Sequence, residues 1–150
     1  MPDIVSKKKR SAMKAGVRQK NTRPEILLRR AFFHAGLRYR IHRRDLPGTP
    51  DIVFPNERIA IFVHGCFWHR HHGCRRTTFP KMRADFWSEK FSRNIERDKR
   101  VQDALETAGW QVAVVWECQA LSSDIARDIA ANFRGKLRRK NSSLKRLAAR

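Results

Sequence analysis

The sequence is short of acidic residues, and it has no long apolar segment. It contains 14 aspartates and glutamates against 34 lysines and arginines, which gives a formal charge of +20 over 150 residues. No apolar run approaches the roughly 20 residues that a membrane-spanning helix requires. The N-terminal residues MPDIVSKKKR also lack the apolar stretch of a signal peptide. These absences predict a cytoplasmic protein that has no membrane partner.

Cysteine is scarce as well. The chain has three cysteines, and an odd number argues against a disulfide framework and leaves metal or redox roles open. Hydrophobic residues make up 41% of the sequence, which is enough for one domain with a modest core and too much for general disorder.

The excess of positive charge predicts a polyanionic partner. Self-repulsion destabilises a compact chain of this charge unless a polyanion screens it, and nucleic acid binds such surfaces through the release of counterions. The charge is concentrated at the two ends, because residues 1–20 hold seven basic residues and one acid, and 134–150 hold eight and none. We therefore predict a basic DNA-binding arm over 1–20, a folded domain over 21–133 and a flexible basic tail over 134–150.

Between the two ends, helical and strand patterns alternate. Thr22 followed by Pro24 and Glu25 predicts the start of a helix that Gly36 ends. The other predicted elements are a strand hairpin over 52–54 and 59–63, a long charged helix over 85–108, a buried strand over 110–116 and a last helix over 122–133. This order predicts an α/β fold with a mixed central sheet flanked by helices.

Two cysteines and four histidines lie within residues 64–74. Zn²⁺ binds four nitrogen or sulfur ligands in a tetrahedron, and a cysteine that follows the last predicted strand can return to the same place. The predicted structural zinc site consists of Cys66, His71, Cys74 and Cys118. His69 or His72 could replace His71, and the alternative is that the cysteines are unrelated and buried in a histidine-rich loop.

A second group of polar residues lies at the ends of the predicted hairpin. Pro50 and Asp51 open its first strand, and His64 ends its second. Many metal-dependent nucleases place such an aspartate on Mg²⁺, which neutralises charge on the scissile phosphate; the acid and lysine that usually follow on the next strand are missing here. A histidine titrates near neutral pH and can deprotonate an attacking water. Asp51, His64 and His69 are therefore candidate catalytic residues, although aspartate at a strand entrance is often a turn residue.

Six sequence blocks match a known family in order over residues 10–120. They are Lys20-Asn21-Thr22-Arg23-Pro24-Glu25, Leu46-Pro47-Gly48-Thr49-Pro50-Asp51-Ile52-Val53, Phe62-Val63-His64-Gly65-Cys66-Phe67-Trp68-His69, Asp85-Phe86-Trp87, Asn94 to Arg97, and Val114-Val115-Trp116-Glu117-Cys118. By these blocks the chain resembles the very-short-patch repair (Vsr) endonucleases, a branch of the restriction-endonuclease-like fold.

The resemblance implies a DNA mismatch endonuclease that nicks one strand 5′ to the thymine of a T·G mismatch. Such mismatches arise when 5-methylcytosine deaminates, and the nick starts very short patch repair. The implied partners are double-stranded DNA with a T·G mismatch and, by function, a cytosine-5 DNA methyltransferase. The implied protein is a nucleoid-associated bacterial monomer.

The resemblance also implies roles for individual residues. Asp51 and the backbone carbonyl of Val63 would bind catalytic Mg²⁺, His69 would be the general base, and His64 and Glu25 would act around the metal-bound waters and the phosphate. The set Cys66, His71, Cys74 and Cys118 would hold structural Zn²⁺, and Phe67, Trp68 and Trp87 would insert at the mismatch.

Two other functions fit the same residues. The first is a non-catalytic zinc-containing protein that binds nucleic acid through its basic ends, and the second is a homing or restriction nuclease that cuts both strands. Phe67 and Trp68 can act as a wedge in DNA or can pack on the zinc site, and we expect Trp110 and Trp116 to be core residues.

Overall fold

The computed structural model describes residues 20–148, except the side chains of 143–145, 147 and 148. The predicted basic arm, apart from Lys20, therefore lies outside the described residues. The helices are α1 (Arg23–His34), α2 (Ala84–Thr107), α3 (Glu117–Ala120) and α4 (Ser123–Ala148). The strands are β1 (Arg40–Ile41), β2 (Ile52–Phe54), β3 (Ile59–His64) and β4 (Gln111–Trp116). Within residues 20–148, no helix is both long and apolar enough to cross a membrane.

The four strands form one mixed sheet in the order β1-β2-β3-β4. The pairs β1–β2 and β2–β3 are antiparallel, and β3–β4 is parallel. The predicted α/β class with a mixed sheet and flanking helices is therefore confirmed. The two-residue strand β1 was not predicted, because its residues are exposed and form no apolar run.

Helix α1 begins where the sequence predicts. Thr22 is its N-cap in an extended conformation, and Pro24 lies in the first turn, where no amide donor is needed. The Thr22 hydroxyl does not cap the helix and instead donates a hydrogen bond to Glu25. Leu28 and Phe32 are fully buried, so one face of α1 packs on the sheet.

The two faces of the sheet carry separate apolar clusters, because alternate residues of a strand point to opposite sides. Ile59 and Ile61 of β3 pack with residues of α1 and α4, including Leu137. Ala60 and Phe62 pack on the other side with Leu105 of α2 and, among others, Trp110. Trp110 is partly buried against this cluster, so its predicted place in the core is only partly right.

The prediction that the last helix ends at Phe133 is wrong. Helix α4 continues to Ala148, so the described part of the predicted tail, 134–148, is helical. Phe133 packs edge-on against Phe32 at a centroid distance of 5.5 Å, and Leu137, one helical turn later, is 5% exposed. The Lys140 ammonium also donates a hydrogen bond to the Glu57 carbonyl. The apolar spacing therefore continues the helix through the basic segment.

The sheet brings the predicted site residues to one edge. The last residues of the parallel strands β3 and β4, His64 and Trp116, are partners in the register. Cys66 and Cys118 follow directly after these strands. Since β2 is antiparallel to β3, Asp51 at the start of β2 lies at the same edge, where its amide donates a hydrogen bond to the Ile61 carbonyl.

Candidate active site and metal cluster

An open cleft of about 1050 Å³ lies at this edge of the sheet. It is bounded by the start of α1, by the ends of β3 and β4 and by one face of α2. The predicted site residues that line it are Glu25, Asp51, Val63, His64, Trp68 and His69. The structure thus gathers in one cavity residues that are up to 44 positions apart in the sequence.

Asp51 is held in the wall of the cleft. Its Oδ2 accepts a hydrogen bond of 2.7 Å from the amide of Val63. Removal from water raises the pKa of Asp51 to about 7, the Val63 amide lowers it, the charge of Glu25 raises it and that of Arg29 lowers it. A divalent cation at this carboxylate would favour its ionised form, so Asp51 suits a role as an oxygen ligand.

His64 and His69 form a stacked pair in the cleft. Their rings are 3.9 Å apart and 7° from parallel. Removal from water, together with the neighbouring His69, lowers the pKa of His64 to about 4, so His64 is neutral near pH 7. His69 Nδ1 lies 2.6 Å from Oδ2 of Asp98. If Nδ1 carries the proton that Asp98 accepts, Nε2 of His69 has a free lone pair, as a general base requires.

Four residues form a compact metal-binding set beside the cleft. The ligand atoms of Cys66, His71, Cys74 and Cys118 all lie within 4.8 Å of one another. His71 Nδ1 is 3.6 Å from Sγ of Cys66 and 3.5 Å from Sγ of Cys118. The structure therefore brings together the four predicted ligands, with His71 among them; His72 is exposed.

The sulfur and nitrogen donors of this set suit a soft cation. The three cysteines are free thiols. Burial raises the pKa of Cys66 to about 12, whereas the backbone amide of Arg76 lowers the pKa of Cys74. Thiols this close repel one another when ionised unless a cation lies between them, and three thiolates with an imidazole form a usual Zn²⁺ ligand set.

The ring of Trp116 stacks on this set. It lies 4.2 Å from the ring of His71 and 6° from parallel, and it is half-buried. The prediction that Trp116 belongs to the hydrophobic core is therefore only partly right, because Trp116 packs at the boundary between the sheet and the metal-binding set.

The aromatic residues of the loop and of α2 form a surface cluster next to the cleft. The ring of Phe67 lies 5.2 Å from the buried Phe91 and 5.6 Å from Trp87. Trp68 is 36% exposed and its ring lies 5.9 Å from that of Trp87. Lys90 lies 5.2 Å from the Trp68 ring. Trp68 thus faces the cleft, while Phe67 supports it from the core side.

The sequence analysis gave no role to Asp98 or Asn94 of α2, although Asn94 begins one of the matching blocks. Asn94 donates a hydrogen bond of 3.1 Å to the Trp68 carbonyl, and Asp98 orients His69. Both line the cleft with Lys90, and the spacing 90, 94, 98 places the three on one helical face. That spacing was the available signal, although a charged helix also presents such stripes to solvent.

Sequence reasoning also missed Arg29 and His42, which surround the buried Glu25. Arg29 Nη2 lies 2.8 Å and His42 Nε2 lies 3.3 Å from Oε2 of Glu25. His42 follows the unpredicted strand β1, so no pattern in the sequence brought it near Glu25.

Comparison with known proteins identifies the family of this chain. A family model described as DNA mismatch endonuclease Vsr matches residues 2–76. The type II nicking enzyme V.XorIIP of Xanthomonas oryzae pv. oryzae is 53% identical over 119 residues, which cover 79% of this chain and 87% of that protein. The DNA mismatch endonuclease Vsr of Escherichia coli is 41% identical over 118 residues, which cover 79% and 75% of the two chains. V.NmeAIP of Neisseria meningitidis, also a type II nicking enzyme, is 41% identical over 128 residues, covering 85% and 91%.

The α/β fold, the polar cleft and these relatives define the class of protein as an endonuclease. The chain belongs to the Vsr family of DNA mismatch endonucleases. The resemblance carried by the sequence blocks is thereby confirmed, and the matched range contains Glu25, Asp51, His64 and His69.

Proposed function

We propose that this protein nicks one DNA strand 5′ to the thymine of a T·G mismatch left by deamination of 5-methylcytosine, and so starts very short patch repair. Family membership supports the reaction class. The single observation that carries the proposal is the His69–Asp98 pair, which lines the same cleft as the buried carboxylate of Asp51. A protein that only binds DNA has no use for an oriented base beside a candidate cation ligand.

In this proposal Asp51 and the carbonyl of Val63 would hold Mg²⁺. Oxygen donors suit Mg²⁺, which when bound neutralises charge on the scissile phosphate. His69 takes a proton from the attacking water at Nε2 while the water oxygen bonds to phosphorus and one P–O bond of the scissile phosphodiester breaks, the leaving oxygen taking a proton from solvent. Asp98 stabilises the resulting imidazolium through Nδ1. The neutral His64 keeps the His69 ring in place by stacking, and Glu25 orients water near the phosphate.

The set Cys66, His71, Cys74 and Cys118 would hold a structural Zn²⁺ within a restriction-endonuclease-like fold. The loop between Cys66 and Cys74 carries Phe67, Trp68 and His69. A metal bound at both ends of this loop would therefore also fix the position of the two aromatic rings and of the general base. The Thr77 hydroxyl already donates a hydrogen bond of 2.7 Å to the His71 carbonyl.

Phe67, Trp68 and Trp87 would recognise the mismatch by inserting at it. A T·G wobble pair stacks and pairs less well than a matched pair, so opening it costs less. Exposed aromatic rings recover part of the cost, at about 1–3 kcal/mol per stacked base. The exposed face of Trp68 beside Lys90 supports this role.

The remaining features of the proposal concern charge and context. The basic segments 1–20 and 134–150 would contact DNA phosphates, which are the same in every sequence. The protein would act as a monomer on the bacterial nucleoid in the cytoplasm, alongside a cytosine-5 DNA methyltransferase whose product supplies the mismatch.

One DNA substrate distinguishes the three candidate functions by its products. A closed circular duplex that carries a single T·G mismatch is incubated with the protein and Mg²⁺ and resolved on a gel. We expect nicked circles. Linear product would indicate a nuclease that cuts both strands, and bound but intact circles would indicate a non-catalytic nucleic-acid-binding protein.

Removal of the proposed general base, His69, should slow nicking strongly. His69→Ala is expected to lower the single-turnover nicking rate by on the order of 10²–10⁴-fold, the usual loss when a positioned general base is removed. His34→Ala, which removes an exposed histidine of α1, is the matched control and should nick at the wild-type rate. A rate for His69→Ala within a few-fold of wild type would place the base elsewhere, with His64 as the next candidate.

Removal of the Phe67 and Trp68 rings should abolish the preference for mismatched DNA and leave the affinity for matched DNA nearly unchanged. For Phe67→Ala/Trp68→Ala we expect the preference for T·G over matched duplexes to fall at least tenfold, since a difference of about 1.4 kcal/mol in opening cost is already tenfold. Salt-sensitive binding to matched DNA should persist. Competition binding measures both.

Two further variants serve as controls for this experiment. Trp68→Ala alone leaves the Phe67–Phe91 contact intact. Phe33→Ala removes an exposed ring of α1 that lies under the Arg38 guanidinium. A zinc-loaded double variant that discriminates the mismatch as well as wild type would return both aromatics to a packing role.

A further inference from the structure

Arg29 lies at the centre of a polar cluster against the wall of the cleft. The cluster consists of Asn21, Glu25, Arg29 and His42 and is called the Glu25 cluster below. Arg29 Nη2 is 2.8 Å from Oε2 of Glu25 and 3.1 Å from Nε2 of His42, and Nη1 donates a hydrogen bond of 3.0 Å to Oδ1 of Asn21. Glu25 is 3% exposed. A single guanidinium therefore ties together three residues from two segments of the chain.

The two carboxylate oxygens of Glu25 have different hydrogen-bond partners. Oε2 lies within hydrogen-bond distance of the Asn21 amide, Arg29 and His42, at 3.0, 2.8 and 3.3 Å. Oε1 accepts a hydrogen bond of 3.1 Å from the Thr22 hydroxyl. A carboxylate offers about four acceptor positions, so Oε1 retains capacity for a water while Oε2 is fully engaged.

The backbone on both sides of the cluster is strained. Asn21 has φ 55° and His42 has φ 49°, both in the left-handed region. Asparagine and histidine tolerate this region better than most residues, but it persists only where surrounding contacts hold it. The contacts here are those to Arg29 and Glu25. The amide of His42 also lies 3.4 Å from the Asp51 carbonyl, which links the cluster to the neighbouring site residue.

A metal ion does not explain the cluster. The ligand atoms of Glu25, His42 and Asp51 lie within 4.8 Å of one another, which alone would suggest a cation site. However, the positively charged guanidinium of Arg29 lies within hydrogen-bond distance of both Glu25 and His42. It would repel a second cation placed between them. Arg29 is itself the cation that compensates Glu25 beside the carboxylate of Asp51.

We propose that Arg29 and His42 are positioning residues for the nicking reaction, and that they act through Glu25. They hold the Glu25 carboxylate in the orientation that leaves Oε1 able to bind a water beside the site of Asp51. The inference rests on the proposed function, since it takes Glu25 to act in the site. Neither residue touches the reacting atoms, so both influence the rate through the placement of one carboxylate.

The test is a double-mutant cycle. Arg29→Gln is expected to lower kcat for T·G nicking at least tenfold, to change the KM for DNA less than threefold and to raise the Mg²⁺ concentration that gives half-maximal rate. In a Glu25→Gln background, Arg29→Gln should change kcat less than twofold, because residues that act as a unit are not additive. Arg30→Gln, an exposed neighbour with the same charge change, is the control and should nick at the wild-type rate.

Variants of His42 provide a second set of measurements, including one substitution that should restore activity. His42→Ala should reproduce the loss in kcat, and His42→Gln should restore most of it, because the glutamine amide offers an oxygen that can accept from Arg29 and a nitrogen that can donate to Oε2 of Glu25. If Arg29→Gln does not fold, the His42 pair with Glu25→Gln completes the cycle. Losses that multiply in the double variants, or a fall in melting temperature with unchanged kcat and Mg²⁺ dependence, would overturn the inference. Wild-type and Arg30→Gln proteins that fail to nick would instead overturn the proposed function itself.

Discussion

Asp51→Asn is expected to abolish nicking while leaving DNA binding nearly intact. The substitution keeps the size of the side chain and an oxygen for the Val63 amide, but it removes the charge that a divalent cation needs. Charge stabilisation by a bound metal contributes several kcal/mol to such reactions, which corresponds to a rate loss on the order of 10³-fold or more. Affinity should persist because it comes mainly from contacts between basic residues and phosphates. Single-turnover nicking and filter binding on the same T·G duplex measure the two quantities.

Asp45→Asn is the matched control for this experiment. Asp45 is exposed, pairs with Arg43 at 2.6 Å and does not line the cleft. The control carries the same change in charge and should nick normally. An Asp51→Asn protein that still cuts at a Mg²⁺-dependent rate near that of wild type would remove Asp51 from the metal site.

Cys118→Ser is expected to lower zinc content and stability together. Structural zinc sites contribute folding free energy directly. A loss on the order of 3 kcal/mol would lower the melting temperature by roughly 10 °C in a domain of this size. Elemental analysis and thermal unfolding of the same preparation provide the measurement.

His72→Ala is the control for the zinc experiment, because His72 is an exposed histidine in the same loop. It should retain zinc and the wild-type melting temperature, and His71→Ala should behave like Cys118→Ser. Wild-type protein that is folded and active after complete removal of zinc, with Mg²⁺ supplied, would contradict the structural role of the metal.

Much of the fold could be predicted from local patterns. The Thr22-Pro24 signal located the start of α1, and the apolar runs at 52–54 and 59–63 located the hairpin within one residue. These elements form because a local property, such as capping or apolar alternation, decides them. The end of α4 was missed because basic residues were weighed more heavily than Phe133 and Leu137, whose spacing continues the apolar face across the predicted tail.

The parts of the site that were missed depend on tertiary contacts. Asp98 reaches His69 only because α2 crosses beside the loop that carries His69. Nothing in the sequence of a charged helix distinguishes one acid from several. Arg29 and His42 meet at Glu25 through a two-residue strand that has no apolar pattern. By contrast, the metal-binding set could be predicted, because ligand chemistry restricts which residues can share one ion.

The central claim is a strand-specific nick at a mismatch, and mapping that nick tests it most directly. Duplexes labelled at either 5′ end and carrying one T·G pair in varied flanking sequence are cut by the wild-type protein with Mg²⁺ and run against sequencing ladders. The account predicts one product, cut on the thymine strand directly 5′ to the mismatched thymine, with matched T·A and C·G duplexes left intact. Cutting that is equal on matched and mismatched duplexes, or that falls on both strands, would contradict it.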